Sequence, residues 1–235
     1  MKISIIGAGK VGSAIAAASL YSFNADEIVL IDIIKNLAEG EALDLNHAAV
    51  GLKKKTKFAG GDDFNLAKES DFVVITAGRG RKVGETRESL FDFNSKIVEE
   101  VCQKLKPLCG NATLVVVTNP STQITELCRK HFSKVIGMEN QLDTSRAKFF
   151  VSKETGKPPS RVKSSVAGGH GENMSVEFRE KLTLEQKQKI NEKVKNAGPE
   201  IIALKGATWW GIAAHVVEEI KAEMKATKQP QTPVF

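Results

Sequence analysis

The fold is decided by the stretch Ile3-Ser4-Ile5-Ile6-Gly7-Ala8-Gly9-Lys10-Val11-Gly12, which an alanine-rich run and the apolar segment 28–32 follow. This pattern predicts a strand, a glycine turn, a helix and a second strand. Gly7 permits the sharp turn, because it lacks the Cβ atom that disfavours a positive φ. Gly9 lets a diphosphate approach the backbone, and Gly12 lets the helix pack closely on the strand. The partial positive charge of the helix N-terminus favours the same diphosphate.

Asp32 lies 20 residues after Gly12, at the end of the predicted second strand. Its carboxylate can accept both ribose hydroxyls of an adenosine and would repel a 2′-phosphate, so we expect NAD as the cofactor. Lys35 lies close enough in sequence to offset a phosphate charge, which leaves NADP as a weaker alternative. The competing interpretation is a tight turn whose glycines serve packing only, and it leaves Asp32 unexplained.

The composition is typical of a globular protein. The chain has 235 residues, of which 41% are hydrophobic and 26% charged, enough for one large domain or two small ones. The net charge of +6 would suit a nucleic-acid partner, but the lysines are scattered and there are only one Tyr and two Trp residues. We therefore interpret the charge as a solvated surface that attracts small anions, and expect no nucleic-acid partner.

Cysteine usage and the N-terminus point to the cytoplasm. Cys102, Cys109 and Cys128 form no CxxC motif, and their odd number suits a reducing compartment. Met1 leads directly into a predicted strand, so we expect no signal peptide. No apolar run approaches the roughly 20 residues that cross a bilayer, so we expect no membrane partner. We also expect no metal site.

Strand and helix patterns alternate along the chain up to Gly137. Buried strands are predicted to end at Thr76-Ala77-Gly78 and at Val117-Thr118-Asn119. Alternation of this kind predicts a doubly wound parallel α/β sheet, in which ligands bind at the carboxyl ends of the strands. The pattern changes after Gly137, so we expect a dinucleotide-binding domain over residues 1–140 and a substrate domain over residues 141–235.

Two helices can be assigned inward faces from apolar spacing. The first is predicted from Lys35 to Ala49, with its leucines facing the core. The second is predicted from Glu88 to Lys106, after a cation-rich loop from Arg79 to Arg87. The inward residues are Leu37, Leu43 and Leu45 in the first helix, and Leu90, Phe93, Ile97, Val101 and Leu105 in the second.

Six motifs occur in one order along the chain. They are Gly7-Ala8-Gly9-Lys10-Val11-Gly12, the Arg81-to-Arg87 loop, Val117-Thr118-Asn119-Pro120, Asn140-Gln141-Leu142-Asp143-Thr144-Ser145-Arg146, Gly169-His170-Gly171 and Lys205-Gly206-Ala207-Thr208. With these motifs the chain resembles the malate/lactate dehydrogenase family over essentially its whole length, and most closely the archaeal malate dehydrogenase branch. The loop and histidine motifs are much more specific than the glycine turn alone.

The resemblance implies a Rossmann sheet followed by an α+β substrate domain. It implies an oxidoreductase that transfers a hydride between NAD(H) and malate or oxaloacetate, a pair of 2-hydroxy and 2-keto dicarboxylates, in the tricarboxylic acid cycle. It also implies a homodimer or homotetramer. Two alternatives remain open: a dehydrogenase of lactate or another 2-hydroxy acid, and a dinucleotide-binding protein without turnover.

The resemblance also assigns roles to single residues. His170 would be the base that takes the hydroxyl proton, and Asp143 would hold its imidazole. Arg146 would bind the C1 carboxylate as a fork, Arg87 would polarise the C2 oxygen, and Arg81 would meet the C4 carboxylate. The substrate pocket would also include Asn119 and Thr208. The cofactor contacts would be Gly7, Gly9, Lys10, Val11, Gly12, Asp32, Thr76, Ala77, Gly78, Asn94, Val117 and Asn119.

Three features depart from the family pattern. Gly169 stands before the histidine where the family more often has Glu, and Val83 stands where a proline is usual. The third is length, because family members continue past Phe235 into further strands and a helix. We therefore expect the second domain to be shortened at its C-terminus, with an incomplete supporting sheet.

Overall fold

A computed structural model describes residues 1–80, 85–168 and 174–228. Among these residues, six parallel strands form one sheet in the order β3-β2-β1-β4-β5-β6. This order and the flanking helices confirm the predicted Rossmann-type α/β fold. The strands are β1 (Lys2–Ile6), β2 (Glu27–Ile31), β3 (Lys57–Gly61), β4 (Phe72–Ile75), β5 (Thr113–Val116) and β6 (Val135–Gly137).

The helices alternate with the strands, as the sequence predicts. Two short 3₁₀ turns, Phe64–Ala67 and Pro159–Arg161, complete the helical structure of the described residues. The α-helices are α1 (Lys10–Ser22), α2 (Lys35–Gly51), α3 (Arg87–Cys109), α4 (Ser121–Arg129), α5 (Gln141–Thr155), α6 (Leu184–Lys205) and α7 (Trp210–Lys228).

The central strands are buried on both faces, which explains their continuous apolar sequences. All four residues of β4 and all four of β5 are buried. One core cluster joins these strands to α3 and α4 through side chains such as Val98, Leu105 and Ile124. Ile6 pairs with both Ile31 and Ile75, so the strands end in register at one edge of the sheet.

Two glycines have the conformations that the first turn requires. Gly7 has a φ of 106°, and a Cβ there would lie 2.6 Å from the Thr76 hydroxyl oxygen. In α1, a Cβ on Gly12 would lie 1.9 Å from the Gly7 carbonyl oxygen. Contacts this short show why no larger side chain fits at Gly12 without moving the turn.

The residues predicted to face inward in two helices were partly wrong. In α2, Leu45 is buried as predicted, but Leu43 is exposed and Ala38 and Ala42 are buried instead. The small alanines fit because α2 lies directly against β3, where the Ala38 carbonyl oxygen would be 2.0 Å from a Cβ on Gly60. Leucine spacing alone does not indicate such a close approach.

In α3 the predicted inward stripe contained one wrong residue. Leu90, Val101 and Leu105 are buried, but Phe93 is exposed and its neighbour Asn94 is buried. Phe93 instead lies against a guanidinium group, with its ring centre 4.5 Å from the Arg79 Cζ atom.

The chain divides into two compact units. Unit 1 comprises Met1–Met138 together with the chain from Ala213 onward, and unit 2 comprises Glu139–Ile212. Unit 2 contains α5, α6 and an antiparallel pair of short strands, β7 (Ser165–Ala167) and β8 (Ser175–Glu177). Its core is an apolar cluster of Ala147, Val151, Val162, Val166, Met174, Val176, Ile190 and Val194.

The cysteines are reduced and buried in unit 1. The Cys102 and Cys128 sulfurs are 3.8 Å apart, and burial raises the pKa of Cys109 to about 11. Across residues 1–80, 85–168 and 174–228, no helix is both long and apolar enough to cross a membrane. The same residues contain no cluster of three His, Cys, Asp or Glu side chains arranged to hold a metal ion.

Candidate functional site

The carboxyl ends of β1, β2 and β4 bring three predicted cofactor residues to one edge of the sheet. Gly7, Asp32 and Thr76 each follow directly on the paired residues Ile6, Ile31 and Ile75. The Gly7 N–H donates to the Ile31 carbonyl at 2.7 Å, and the Thr76 N–H donates to the Ile6 carbonyl at 2.9 Å. The strand register and these backbone hydrogen bonds therefore bring the three residues together without a ligand.

The N-terminus of α1 has the features that a diphosphate needs. Gly9 is the N-cap residue and supplies no side-chain hydrogen bond, so it does not itself cap the first turn of the helix. No atom lies within 4 Å of where its Cβ would be, which leaves open space beside the turn. The arrangement fits an anionic group held by backbone N–H groups and the helix dipole.

Asp32 has a structural role in addition to the predicted one. Its Oδ2 accepts the Ala8 N–H at 2.7 Å, and its Oδ1 accepts the Ile34 N–H at 2.9 Å. A carboxylate oxygen can accept a second hydrogen bond, so ribose hydroxyls still fit. Because these bonds stabilise the turn, the packing-only interpretation also accounts for Asp32, contrary to our expectation.

Two threonines link the turns that follow β1, β4 and β5. The Thr76 hydroxyl donates to the Gly7 carbonyl at 3.0 Å. The Thr118 hydroxyl donates to the Ala77 carbonyl at 2.8 Å. Thr118 belongs to a motif that we quoted from the sequence without giving it a role, and the structure identifies it as a link between the β4 and β5 turns.

Asn94, which the sequence predicts as a cofactor contact, holds the turns after β4 and β5 through hydrogen bonds. Its side chain is fully buried, with Oδ1 accepting the Arg79 N–H at 3.0 Å. Its Nδ2 donates to the Asn119 carbonyl at 2.7 Å and to the Arg79 carbonyl at 3.1 Å. Asn94 therefore supports the turns after β4 and β5 from a buried position, and its side chain is not exposed at their surface.

The other predicted cofactor residues lie at the surface of the same edge. Gly9, Lys10, Gly78 and Asn119 are exposed, whereas Val11, Ala77 and Val117 are half-buried. Asn119 precedes a cis peptide bond to Pro120. All of these residues belong to unit 1.

Arg87 is the first residue of α3 and not part of the loop that we predicted. Thr86 is the N-cap, and its hydroxyl accepts the Ser89 N–H at 3.1 Å. The helix starts there because threonine satisfies an N–H of the first turn. Arg87 is therefore held on a regular helix.

A pair of charged side chains lies on the first turns of α5 in unit 2. The Arg146 Nη1 donates to the Asp143 Oδ1 at 2.8 Å, and the two side chains are only 12% and 1% exposed. The Arg146 Nη2 would be 3.6 Å from a Cβ on Gly198 of α6. The structure thus brings together two of the residues that the sequence singles out.

Hydrogen bonds tie α5 to the end of β7. The Val166 N–H donates to the Thr144 hydroxyl at 3.1 Å, and the Asn140 side-chain amide donates to the Gly168 carbonyl. Asn140 has no role in our sequence analysis, and only its place in the α5 motif could have indicated one. Thr208, predicted in the substrate pocket, lies half-buried between α6 and α7.

Two residues to which the family resemblance assigns main roles, Arg81 and His170, fall outside the part of the chain that the structure describes. Val83 and Gly169, which depart from the family pattern, fall outside it as well. Their roles stay predictions from the sequence.

Two models of one known protein family match the chain along nearly its whole length. Residues 1–139 match the family described as lactate/malate dehydrogenase, NAD binding domain. Residues 140–234 match its alpha/beta C-terminal domain. The chain belongs to the lactate/malate dehydrogenase family. As a member of that family it is an NAD-dependent oxidoreductase, which confirms the cofactor predicted from the glycine turn and Asp32.

Individual relatives of this dehydrogenase agree with the assignment. The malate dehydrogenase of Caldivirga maquilingensis is 36% identical over 227 residues, which cover 90% of this chain and 74% of that one. The L-lactate dehydrogenase of Fervidobacterium nodosum is 36% identical over 256 residues, covering 99% and 82%. The structure of the Archaeoglobus fulgidus malate dehydrogenase in complex with NADH superposes with a TM-score of 0.86, at 34% identity, covering 96% and 78%.

Proposed function

We propose that the chain is an NAD-dependent malate dehydrogenase that interconverts malate and oxaloacetate. The observation that carries the proposal is the pair of Asp143 and Arg146, which is almost entirely removed from solvent. Burying such a pair costs desolvation free energy, and apolar side chains of similar size would stabilise unit 2 as well or better. A catalytic role accounts for the retention of these charges.

The proton chemistry in this proposal belongs to His170 and Asp143. A neutral imidazole at His170 takes the proton from the C2 hydroxyl of malate. NAD, when bound, would supply the acceptor for the hydride that leaves C2. The Asp143 carboxylate holds the imidazole in the correct tautomer and stabilises the imidazolium that forms. In the reverse direction His170 returns the proton to the C2 oxygen.

Three arginines account for the charges of a dicarboxylate. The Arg146 guanidinium has further N–H donors besides the one directed at Asp143, and these bind the C1 carboxylate. Arg87 polarises the C2 oxygen from the first turn of α3. Arg81 meets the C4 carboxylate, which would be costly to bury without a cation. Asn119 and Thr208 position the substrate.

Activity on lactate is the second candidate, and the 36% identity to an L-lactate dehydrogenase supports it. Lactate has no C4 carboxylate, so a buried Arg81 would be left without a partner in that pocket. The charge at this one position therefore favours malate.

Four further expectations stay predictions. They are the domain boundary at residue 140, the preference for NAD over NADP, the cytoplasmic location and the homodimer or homotetramer.

The substrate assignment is tested by measuring kcat/KM for oxaloacetate and for pyruvate. We expect oxaloacetate to be favoured on the order of 10³-fold or more, as for a site whose buried charge goes unmatched. The substitution Arg81→Gln should lower kcat/KM for oxaloacetate and raise it for pyruvate. Arg129→Gln on α4 removes the same charge from an exposed position and should leave the ratio unchanged.

Either of two results would contradict the malate assignment. One is equal efficiency of the wild type with the two substrates. The other is an unchanged ratio in Arg81→Gln, which would leave a dehydrogenase of some other 2-hydroxy acid.

A further inference from the structure

The side chain of Asn94 makes three hydrogen bonds to main-chain atoms of two different turns. Its Oδ1 accepts the Arg79 N–H at 3.0 Å, and its Nδ2 donates to the Arg79 carbonyl at 3.1 Å. The same Nδ2 donates to the Asn119 carbonyl at 2.7 Å. The residue is 0% exposed, so these bonds form away from water. A buried amide is costly unless its polar atoms have partners, and both N–H donors and the oxygen of Asn94 have them.

The half-buried Asn46 of α2 makes the same kind of contact with a strand. Its Oδ1 accepts the Phe58 N–H at 3.0 Å, and its Nδ2 donates to the Phe58 carbonyl at 2.8 Å. Its other donor bonds to the Ala42 carbonyl, within its own helix, at 2.9 Å. Two bonds are therefore enough to fasten a helix to one residue of a neighbouring segment. The third bond of Asn94 goes further, because it leaves the helix and reaches a second turn.

That third bond ends on a residue whose side chain is exposed at the carboxyl end of the sheet. Asn119 follows β5 by three residues and is exposed, whereas Thr118 before it is buried. The Thr118 hydroxyl donates to the Ala77 carbonyl at 2.8 Å. The chain is therefore held at two successive residues, through the Thr118 hydroxyl and the Asn119 carbonyl, and the Asn119 side chain extends from a fixed backbone.

The turn after β4 packs so closely on Asn94 that the amide has little room to move. A Cβ on Gly78 would lie 2.9 Å from the Asn94 Oδ1 and 2.8 Å from the Thr118 Cγ2 atom. Gly78 has a φ of 139°, which side chains with a Cβ rarely adopt. Because close-packed groups transmit small displacements, a change at Asn94 should shift the turns that it holds.

We propose that Asn94 is a positioning residue, which holds the Asn119 carbonyl and thereby directs the Asn119 side chain toward substrate and cofactor. The proposal rests on the proposed function for the role of Asn119. A hydrogen bond to the carbonyl limits rotation of the peptide unit after Asn119, and so fixes the direction in which its side chain leaves the backbone. A displacement of about 1 Å in a substrate-positioning group can cost on the order of 10²-fold in rate.

A double-mutant cycle tests whether Asn94 acts through Asn119. The variants are Asn94→Ala, Asn119→Ala and the double substitution. We expect each single substitution to raise KM for oxaloacetate on the order of 10-fold. The double variant should lose no more than Asn119→Ala alone, because no side chain remains at residue 119 to be positioned. Asn46→Ala is the matched control: it removes the same kinds of hydrogen bond from α2 and should leave KM unchanged.

Urea unfolding separates positioning from a loss of stability. Asn94→Ala and Asn46→Ala both leave main-chain groups without their amide partner, so both should unfold at lower urea concentrations than the wild type. A purely structural Asn94 would lower stability as Asn46 does and leave KM unchanged, and that result would overturn the proposal. Asn94→Ser keeps a hydroxyl at the same position, so it replaces Asn94→Ala in the cycle if the alanine variant does not fold.

NADH affinity, measured by fluorescence titration, provides a second cycle that needs no turnover. We expect Asn94→Ala and Asn119→Ala each to weaken NADH binding several-fold, and the double variant to bind as Asn119→Ala does. If the wild type consumes NADH with oxaloacetate but the two losses add, the positioning role is wrong and the proposed function stands. If the wild type has no turnover, the proposed function fails and the NADH cycle decides alone. Additive losses there, or no loss in Asn94→Ala, would overturn the positioning role.

Discussion

The proposed cofactor residues, in unit 1, and the proposed substrate pair of unit 2 are held in place by different means. The cofactor half in unit 1 consists of a sheet edge whose turns are held by backbone hydrogen bonds, such as the one from Gly7 to Ile31. The proposed substrate half depends on charged side chains, of which the Asp143 and Arg146 pair lies in unit 2. A backbone site follows from strand register and glycine spacing. A side-chain site requires each residue to be identified by its chemistry.

The largest effect is predicted for substitution of His170, which should change catalysis and leave cofactor binding intact. His170→Asn should lower kcat by about 10²–10⁴-fold, because the positioned acid/base is lost. NADH affinity should be unchanged, since the predicted cofactor contacts lie on the unit 1 edge. Steady-state kinetics and NADH fluorescence titration measure the two quantities.

The matched control for this substitution is His47→Asn, at an exposed position on α2. It should leave both quantities unchanged. A near-normal kcat in His170→Asn would show that His170 is not the base. It would also contradict the assignment of proton transfer to the substrate half.

The second prediction changes the cofactor half alone. Gly12→Ala places a Cβ where the Gly7 carbonyl oxygen is only 1.9 Å away, so the turn must shift. We expect a loss of about 1–3 kcal/mol in the free energy of unfolding. NADH should also bind about 10-fold more weakly, because the turn that faces the diphosphate is displaced.

Gly40→Ala is the control, because it lies in α2 with no atom within 4 Å of its Cβ position. It should raise the free energy of unfolding by about 0.5–1 kcal/mol, through helix propensity and reduced freedom of the unfolded chain. Urea unfolding measures both variants. Unchanged NADH affinity in Gly12→Ala would show that the turn does not hold the cofactor.

The smallest effect concerns the stability of unit 2 and its dependence on pH. Burial alone would raise the pKa of Glu180, but hydrogen bonds from the Ser164 hydroxyl and the Lys163 N–H bring it below its ordinary value. A folded-state pKa below the unfolded value stabilises the fold above about pH 4.5. That stability is lost as the pH falls through the folded-state pKa.

We therefore expect Glu180→Gln to lower the free energy of unfolding by about 1–2 kcal/mol at pH 7, with the difference shrinking in acid. Both tryptophans lie in unit 2, so their fluorescence reports its unfolding. Glu177→Gln, in an exposed position on β8, should have little effect at either pH. A difference that persists unchanged at pH 3 would rule out the carboxylate as its source.

Most of the cofactor half could be predicted from the sequence, because the strand, glycine turn and acidic residue obey fixed spacings. Leu43 and Phe93 were placed wrongly in the inward faces of their helices. Periodicity does not show how closely a helix approaches the sheet, or that an amide such as Asn94 takes a core position in place of an apolar side chain. An ion pair in unit 1 was also missed, in which the Arg79 Nη1 donates to the Glu85 Oε2 at 2.7 Å. Both residues stood in a segment that we interpreted only as cation-rich, and its single carboxylate was the available signal.

The most direct test of the proposed function is to add oxaloacetate to the chain with bound NADH and follow NADH absorbance, after a fluorescence titration has established binding. We expect saturable NADH binding followed by consumption of NADH on addition of oxaloacetate, with NAD as the product. NADH binding without consumption would contradict it, because the chain would then have a working cofactor half and no working substrate half.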